Sequence, residues 1–245
     1  MEQVWFSAAL WRSSSPKLPL VNRAKEVERL TLALGSGDSV LLLGPQGSGK
    51  TRIVQEALFA NPRALYVEWQ PTLHALLIAM ARALLDAPEA WLKTQTSVSL
   101  KGLLWNALES SPVPIVLDGI AGASFPAYRF LQRIYQSPGV ALCAASRDAG
   151  TLGALGRLFW NPQKVLPVPP LQHRDAERLF ESAADCFQLR GLSLDEFREK
   201  VLQSAGGNPG QIIEMCRLAT QPQYLSGRYI KFAPLRIDVA MKFAR

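Results

Sequence analysis

The eight residues GPQGSGKT, from Gly44 to Thr51, constrain the fold of this chain more than any other segment. They match the pattern G-x-x-x-x-G-K-[ST] in full, with the apolar run SVLLLG before them and a helical pattern after them. Glycines at positions 44, 47 and 49 let the backbone turn its N–H groups inward around a phosphate. A strand, a glycine-rich loop and a helix in this order predict an α/β fold with a phosphate-binding loop at the end of a strand.

All eight residues of this phosphate loop are candidate nucleotide ligands: Gly44, Pro45, Gln46, Gly47, Ser48, Gly49, Lys50 and Thr51. The ammonium group of Lys50 is expected to reach the β and γ phosphates, and the helix that begins near it adds its N-terminal dipole. The hydroxyl group of Thr51 is expected to bind Mg²⁺. The loop therefore predicts a bound nucleotide together with a magnesium ion.

A second magnesium ligand is predicted at Asp118, the last residue of the apolar run PIVLD. A carboxylate at the C-terminal end of a neighbouring strand can hold the metal through water. The alternative is an aspartate that only begins and caps a turn. The predicted metal-binding pair is thus Thr51 and Asp118.

Apolar strands alternate with amphipathic helices over most of the chain. Strands are predicted at 39–44, 64–69, 113–119, 140–146 and 164–171, the last at a sheet edge because of its prolines. Helices are predicted from about 24 to 34, after the phosphate loop, and at 72–86, 99–111 and 127–137. This alternation predicts an α/β fold in which a parallel five-stranded sheet carries helices on both faces.

Strand patterns stop near Leu171, and three helical patterns follow. The second opens with Ser193 and Glu196 spaced as a capping box, and the third with Asn208 as cap and Pro209 in the first turn. The predicted domains are a 1–20 N-terminal arm, a 21–170 P-loop NTPase α/β core, a 171–220 helical lid domain and a 221–245 basic C-terminal tail.

The formal net charge of the chain is +7, which favours phosphate-rich partners. The tail has five basic residues, one acid and interleaved aromatics, so it is either a nucleic-acid contact or a last strand or helix that docks on the lid. Apolar runs fall short of the roughly 18–20 residues that a membrane helix needs. We therefore expect a soluble, cytoplasmic protein with no membrane partner.

These ordered elements resemble the AAA+ and STAND class of P-loop ATPases, nearest to origin-recognition ATPases, archaeal-type ATPases and the nucleotide switch of NB-ARC proteins. The resemblance covers about residues 20–219 and implies ATP with Mg²⁺ as cofactors. In LVNRAKEVERL, Arg23 and Glu26 match the family's opening motif, which lies against the adenine, while Asn22 replaces its usual glycine. A protein partner or a homo-oligomer is also implied.

The resemblance assigns three further residues to roles near the γ-phosphate. Ser146 and Arg147, in CAASRD, correspond to the first sensor. Arg157 lies where oligomeric members carry an arginine that enters a neighbour's site. The alternative for Arg157 is a solvated surface residue, and the same alternative applies to Arg129 and Arg133. 

The segment GGNPGQI of this chain resembles the motif that the family carries in its lid. The resemblance implies that Pro209 packs near the nucleotide base. Gln211 stands near the place where some members carry a second-sensor arginine. This departure weakens the expectation that the lid couples to nucleotide through a charge.

Whether the chain hydrolyses ATP is left open by the residue after Asp118. The family usually supplies the water-activating acid there, whereas this chain has Gly119. Glu68, which ends the strand LYVE, is the nearest alternative base, but the family's strand order places that strand at the far side of the sheet. The other interpretation of Glu68 is a solvated glutamate or one at the rim of the pocket. The first hypothesis is an ATP-binding switch with lid closure and weak or conditional hydrolysis. The alternative is a nucleic-acid-associated ATPase of the transposition or replication loader type, and a metabolic kinase is disfavoured.

Overall fold

The computed structural model describes residues 18–85 and 87–244, so most of the predicted N-terminal arm lies outside the described residues. Contacts between Cα atoms divide the described part of the chain into two compact units. The α/β unit holds residues 24–45 and 50–168, and the helical unit holds residues 18–23, 46–49 and 169–244. The centre of the phosphate loop is thus grouped with the helical unit.

The α/β unit follows the alternating pattern that the sequence predicts. Its helices are α1 (Ala24–Ser36), α2 (Lys50–Ala60), α3 (Leu73–Leu85), α4 (Glu89–Thr94), α5 (Ser97–Ser110) and α6 (Phe125–Gln136). Its strands are β1 (Leu41–Leu43), β2 (Leu65–Glu68), β3 (Ile115–Ile120), β4 (Leu142–Ser146) and β5 (Val165–Pro167). The segment between β4 and β5 contains 3-10 helices at Gly150–Phe159 and Pro162–Lys164.

The five strands form one parallel sheet in the order β2-β3-β4-β1-β5. The predicted parallel five-stranded P-loop sheet is confirmed, and β5 lies at an edge as its prolines require. At the other edge, β2 pairs directly with β3, with Glu68 opposite Asp118. The strand carrying Glu68 is therefore both the far edge of the sheet and the immediate neighbour of the strand that carries Asp118.

The strands are buried as continuous apolar runs because helices cover both faces of the sheet. All five residues of β4 are buried, and α2 packs through the predicted set Ile53, Val54, Ala57 and Leu58. The register of β3 against β4 shifts between Leu117 and Ile120. This irregularity falls where the chain leaves Asp118.

The helical unit contains α7 (His173–Cys186), α8 (Leu194–Ala205), α9 (Pro209–Leu218) and α10 (Phe232–Phe243). A short hairpin of β6 (Leu225–Ser226) and β7 (Tyr229–Ile230) precedes α10. Leu235 and Val239 of α10 are buried in the same apolar cluster as the other helices of the unit. Residues from the predicted basic tail therefore form part of the helical core, as in the docking alternative.

Three details differ from the sequence-based expectations. Helix α4 is additional, and α1 continues through Gly35 to Ser36. The Ser193 side chain makes no cap hydrogen bond at the start of α8. Instead the backbone N–H of Ser193 donates to the carbonyl of Arg228 at 2.9 Å, which removes the donor that a capping box would offer to Glu196. Within the described ranges, the helices are too short or too polar to cross a membrane.

Candidate nucleotide site

The phosphate loop has the backbone conformation that its glycines predict. Gly47 and Gly49 have φ angles of +81° and +97°, in the region that glycine occupies without steric cost. A Cβ atom on Gly47 would lie 2.5 Å from Asn208 Oδ1 and 2.5 Å from Phe243 Cε1. Glycine is therefore required at position 47 by both its conformation and its neighbours.

Lys50 begins α2 and folds back over the loop. Its ammonium group donates to the carbonyl of Gly44 at 2.6 Å and to that of Pro45 at 3.0 Å. Burial lowers the pKa of Lys50, the carboxylate of Asp118 raises it, and the guanidinium of Arg147 lowers it. The lysine, aspartate and arginine that the sequence placed at one site thus lie close enough to affect one another electrostatically.

Thr51 and Asp118 lie in contact. The hydroxyl of Thr51 donates to Asp118 Oδ2 at 2.7 Å, although 67 residues separate them in the chain. Asp118 is only 5% exposed. The two predicted magnesium ligands therefore present neighbouring oxygen atoms at the C-terminal end of β3.

Tyr66 of β2 completes this cluster and was not predicted. Its hydroxyl donates to Asp118 Oδ2 at 3.2 Å. Burial, the charge of Asp118, this hydrogen bond and the charge of Glu68 all raise the pKa of Tyr66, so the phenol stays protonated and acts as a donor. The only sequence signal for Tyr66 is its place two residues before the end of a strand.

The loop that follows β2 is fastened to the loop that follows β3. The backbone N–H of Trp69 donates to the carbonyl of Asp118 at 2.8 Å, and its indole N–H donates to the carbonyl of Ala121 at 2.9 Å. Between these two carbonyls lies Gly119, with a φ angle of +75°. Apart from Gly119 itself and its two chain neighbours, the described chain has no heavy atom within 4 Å of where a Cβ atom on residue 119 would be.

Within the helical unit, the N-terminus of α9 holds the centre of the phosphate loop. Asn208 caps α9 by accepting from the N–H of Gln211 at 3.2 Å, as predicted, and its amide donates to the carbonyl of Gln46 at 2.8 Å. The N–H of Gly210 donates to the carbonyl of Gly47 at 2.9 Å. The start of α9 thus binds the carbonyl groups of Gln46 and Gly47, at the centre of the loop.

The opening motif and the lid motif take the following positions. Arg23 is 3% exposed and donates to the carbonyl of Pro169 at 2.6 Å. Asn22 has a φ angle of +49°, a conformation that glycine adopts freely. Asparagine tolerates this conformation better than most other residues, so it can stand where the opening motif usually has glycine. Pro209 occupies the first turn of α9.

The two candidate first-sensor residues, Ser146 and Arg147, differ in exposure. Ser146 is buried, and its hydroxyl lies 2.9 Å from the carbonyl of Ile120 and 2.8 Å from the hydroxyl of Thr151, so it ties the ends of β3 and β4 together. Arg147 is exposed. Of this pair, only the serine is buried, with its hydroxyl bonded between the ends of the two strands.

The candidate finger residues are distributed differently. Arg157 is exposed on the Gly150–Phe159 segment. Arg133 lies over the ring of Trp105 at 4.3 Å, and Arg129 lies 6.0 Å from the ring centre of Phe125. Both arginines of α6 therefore pack on aromatic rings of their own chain.

A family model described as AAA ATPase domain matches residues 19–193 of the chain. The chain belongs to this family. The AAA ATPase domain is thus an ATP-binding P-loop ATPase module, and the predicted resemblance to AAA+ proteins is confirmed. A search of curated proteins finds no match to the chain.

Solved structures share the fold of this AAA ATPase domain at low sequence identity. The Orc1 protein of Aeropyrum pernix in complex with DNA has a TM-score of 0.69 at 17% identity, over 94% of this chain and 67% of the other. Cdc6p of Pyrobaculum aerophilum has a TM-score of 0.65 at 15% identity, over 88% and 65%. A Walker-type ATPase of Pyrococcus abyssi has a TM-score of 0.63 at 12% identity, over 95% and 76%. The chain spans about two thirds of the length of the first two proteins.

The residues of the domain fit a magnesium nucleotide. Thr51 and Asp118 offer hard oxygen atoms of the kind that Mg²⁺ prefers. Ser48 Oγ and Gln46 Oε1 are buried and have no hydrogen-bond partner within the described ranges. An oxyanion held by the loop would supply an acceptor for the Ser48 hydroxyl. The donor set is therefore suited to a phosphate chain and its metal.

Proposed function

We propose that this AAA ATPase domain is an ATP-dependent switch that binds Mg-ATP at the phosphate loop and hydrolyses it weakly or conditionally. The contact between the Thr51 hydroxyl and Asp118 carries the proposal, because it brings two metal-ligand oxygens together beside Lys50. Gly119 supports the limit on hydrolysis, since it has no side chain to orient water.

Bound nucleotide would act first on the phosphate loop. Lys50 would neutralise the β and γ phosphates, the loop amides would hold their oxygens, and Thr51 and Asp118 would hold Mg²⁺, which supplies charge neutralisation when bound. When Lys50 turns to the phosphates, it would leave the carbonyls of Gly44 and Pro45.

The switch would operate through α9 and the lid to which it belongs. Any displacement of the loop centre strains the hydrogen bonds from Asn208 and Gly210 to the loop carbonyls. A difference of a few kcal/mol between nucleotide states is enough to shift a two-state population substantially, so ATP would favour a closed arrangement of the lid. A protein partner or a second copy of the chain would read this state.

Nucleotide affinity tests the binding proposal. Titration calorimetry with ATP and Mg²⁺ is expected to show binding by the wild type and an affinity at least about tenfold weaker for Lys50→Ala, because a charge-assisted contact is worth about 1.5–3 kcal/mol. Lys25→Ala, which removes an exposed lysine of α1, is the matched control and should bind as the wild type does. Equal affinity of the Lys50→Ala and Lys25→Ala variants would show that ATP does not use this loop.

Hydrogen exchange tests the switch. The amides of Gly210 and Gln211 at the start of α9 are expected to change in protection between the ATP and ADP complexes. Identical protection in the two complexes would refute the switch while leaving ATP binding intact.

A nucleic-acid-associated ATPase is the second candidate. It is supported by the net charge of +7 and by α6, which carries Arg129 and Arg133 and no acidic residue. The tail supports it less, because Lys242 pairs with Glu214 at 2.9 Å. Salt-dependent binding to duplex DNA would favour this candidate, and no binding at low salt would exclude it.

A further inference from the structure

The C-terminal ends of β2 and β3 place a second carboxylate beside Asp118. Glu68 is the last residue of β2 and is paired in register with Asp118. Paired residues of neighbouring parallel strands project to the same face of a sheet, so both carboxylates belong to the face on which Tyr66 contacts Asp118. Ligands of open α/β sheets bind at these carboxyl ends.

The Cα atom of Glu68 lies about as far from the Cα atom of Asp118 as the Cα atom of the family's usual acid would. Consecutive Cα atoms are about 3.8 Å apart, which is the separation between Asp118 and an acid directly after it. Neighbouring strands lie about 4.8 Å apart, which is the separation expected between Glu68 and Asp118. Moving the acid from the next residue to the next strand therefore changes its Cα distance from the metal-binding aspartate by only about 1 Å.

The backbone around Glu68 is fixed, whereas its side chain is exposed. Hydrogen bonds from Trp69 to the carbonyls of Asp118 and Ala121 hold the end of β2 against the loop after β3. Tyr66, two residues earlier, is fixed by Asp118. The Glu68 side chain lies at this anchored strand end and is open to solvent. The carboxylate of Glu68 is therefore held at a fixed strand end and has access to water, and reaching a water molecule is one condition that a general base must meet.

Gly119, near the end of β3, leaves space beside Asp118. Its missing side chain and the empty volume around its Cβ position leave room for a water molecule between the ends of β2 and β3. The glycine thus removes the usual acid and also opens the approach to Glu68.

We propose that the carboxylate of Glu68 orients the attacking water and accepts its proton during ATP hydrolysis. The water oxygen forms a bond to the γ-phosphorus while the bond from that phosphorus to the bridging oxygen breaks. ADP leaves with the electron pair of that bond, and the water proton passes to Glu68. Since the Glu68 side chain is exposed, turnover by the isolated chain is slow until the carboxylate is oriented. This inference rests on the proposed binding of Mg-ATP at the phosphate loop.

The test compares Glu68→Gln with Glu109→Gln, which alters an exposed glutamate at the end of α5. Three quantities are measured for each variant and the wild type: the calorimetric affinity for ATP, the rate of phosphate release, and the nucleotide that remains bound after incubation with ATP. Glu68→Gln is expected to bind ATP with an affinity within about twofold of that of the wild type. Its rate of phosphate release is expected to be at least about 100-fold lower, so that it retains ATP where the wild type retains ADP. Glu109→Gln should match the wild type in all three.

Failure of this inference differs from failure of ATP binding. If the wild type binds ATP and Glu68→Gln releases phosphate as fast as Glu109→Gln, Glu68 is not the base, and the proposed binding function stands. Binding without any phosphate release by the wild type also overturns the role of Glu68. If neither the wild type nor Glu68→Gln binds ATP, the proposed function itself is wrong.

Discussion

Replacing Glu214 by Gln should destabilise the helical unit in a pH-dependent way. Glu214 lies on α9 and is 8% exposed. Its carboxylate accepts hydrogen bonds from Arg217 at 2.9 and 2.7 Å and pairs with Lys242 of α10 at 2.9 Å. The hydrogen bonds from Arg217 are the largest cause that lowers the pKa of Glu214 from 4.5 to about 2, against the effect of burial, and Lys242 adds to it.

The lowered pKa of Glu214 gives the size of the stability loss that we expect from Glu214→Gln. A difference from 4.5 to about 2 corresponds to about 3 kcal/mol of folding free energy if it is fully expressed. The side chains of Arg217 and Lys242 are 45% and 56% exposed, so solvent screens part of the interaction. We expect Glu214→Gln to cost about 1–2 kcal/mol at pH 7, because the amide keeps the shape of the side chain and loses its charge.

The sign of the pH dependence is fixed by the lowered pKa. The contribution of Glu214 is fully present above pH 4.5 and is lost as the pH falls towards 2, because the carboxylate is then protonated in both the folded and unfolded chains. The difference between the wild type and Glu214→Gln should therefore shrink as the pH falls below 4.5.

Urea unfolding followed by circular dichroism at several pH values from 7 down to 2.5 measures this difference. Glu196→Gln is the control, since it breaks an exposed pair with Lys200 and should cost at most about 0.5 kcal/mol. The reasoning is refuted if the two variants lose the same free energy at pH 7, or if the cost of Glu214→Gln is as large at pH 2.5 as at pH 7.

Two further substitutions test the phosphate site. Gly119→Glu should cost about 1–2 kcal/mol, because residue 119 has a φ angle of +75°. It should not raise ATP turnover, because this left-handed backbone would direct the new carboxylate differently from an acid on an extended strand. Gly119→Ala measures the backbone cost alone, and faster turnover by Gly119→Glu than by the wild type would contradict us. Asn208→Ala should cost about 1 kcal/mol through the lost cap and should also weaken ATP binding, because Asn208 contacts Gln46. Thr96→Ala removes the cap of α5 and should cost the same stability with unchanged ATP affinity, so equal affinity losses would argue against a link between α9 and the loop.

Local patterns predicted most of the fold because they depend on neighbouring residues. The strand before the phosphate loop, the helix after it and the edge position of β5 follow from apolar runs, glycines and prolines that are read within a few positions. Helix α4 was missed because six residues are too few to establish a helical period. The capping box at Ser193 was wrong because a distant hairpin residue, Arg228, takes the backbone N–H that the box would use.

Motifs in the sequence named most of the candidate site residues. The loop and Asp118 follow from a motif and its strand, Arg147 follows from the family resemblance, and the structure brings Lys50, Thr51 and Asp118 together. Tyr66 carries no such signal, because its role depends on the register of two strands whose residues are about fifty positions apart. Register is set by the pattern of burial across the whole sheet, so a single strand read alone does not reveal it.

The backbone at Gly119 changes how the absent acid is understood. The register of β3 against β4 shifts between Leu117 and Ile120, and Gly119 takes a left-handed conformation within that shift. A side chain at this position would leave the chain in a different direction from one on an extended strand, so the backbone as well as the residue type departs from the usual arrangement. Asp118 remains paired with Glu68, on the side of β3 opposite to the shift. The bond from the backbone N–H of Trp69 to the carbonyl of Asp118 continues the β2–β3 ladder, and the bond from its indole N–H to Ala121 extends this contact past the end of β3. If the acid comes from β2, as we propose, its position depends on these two hydrogen bonds.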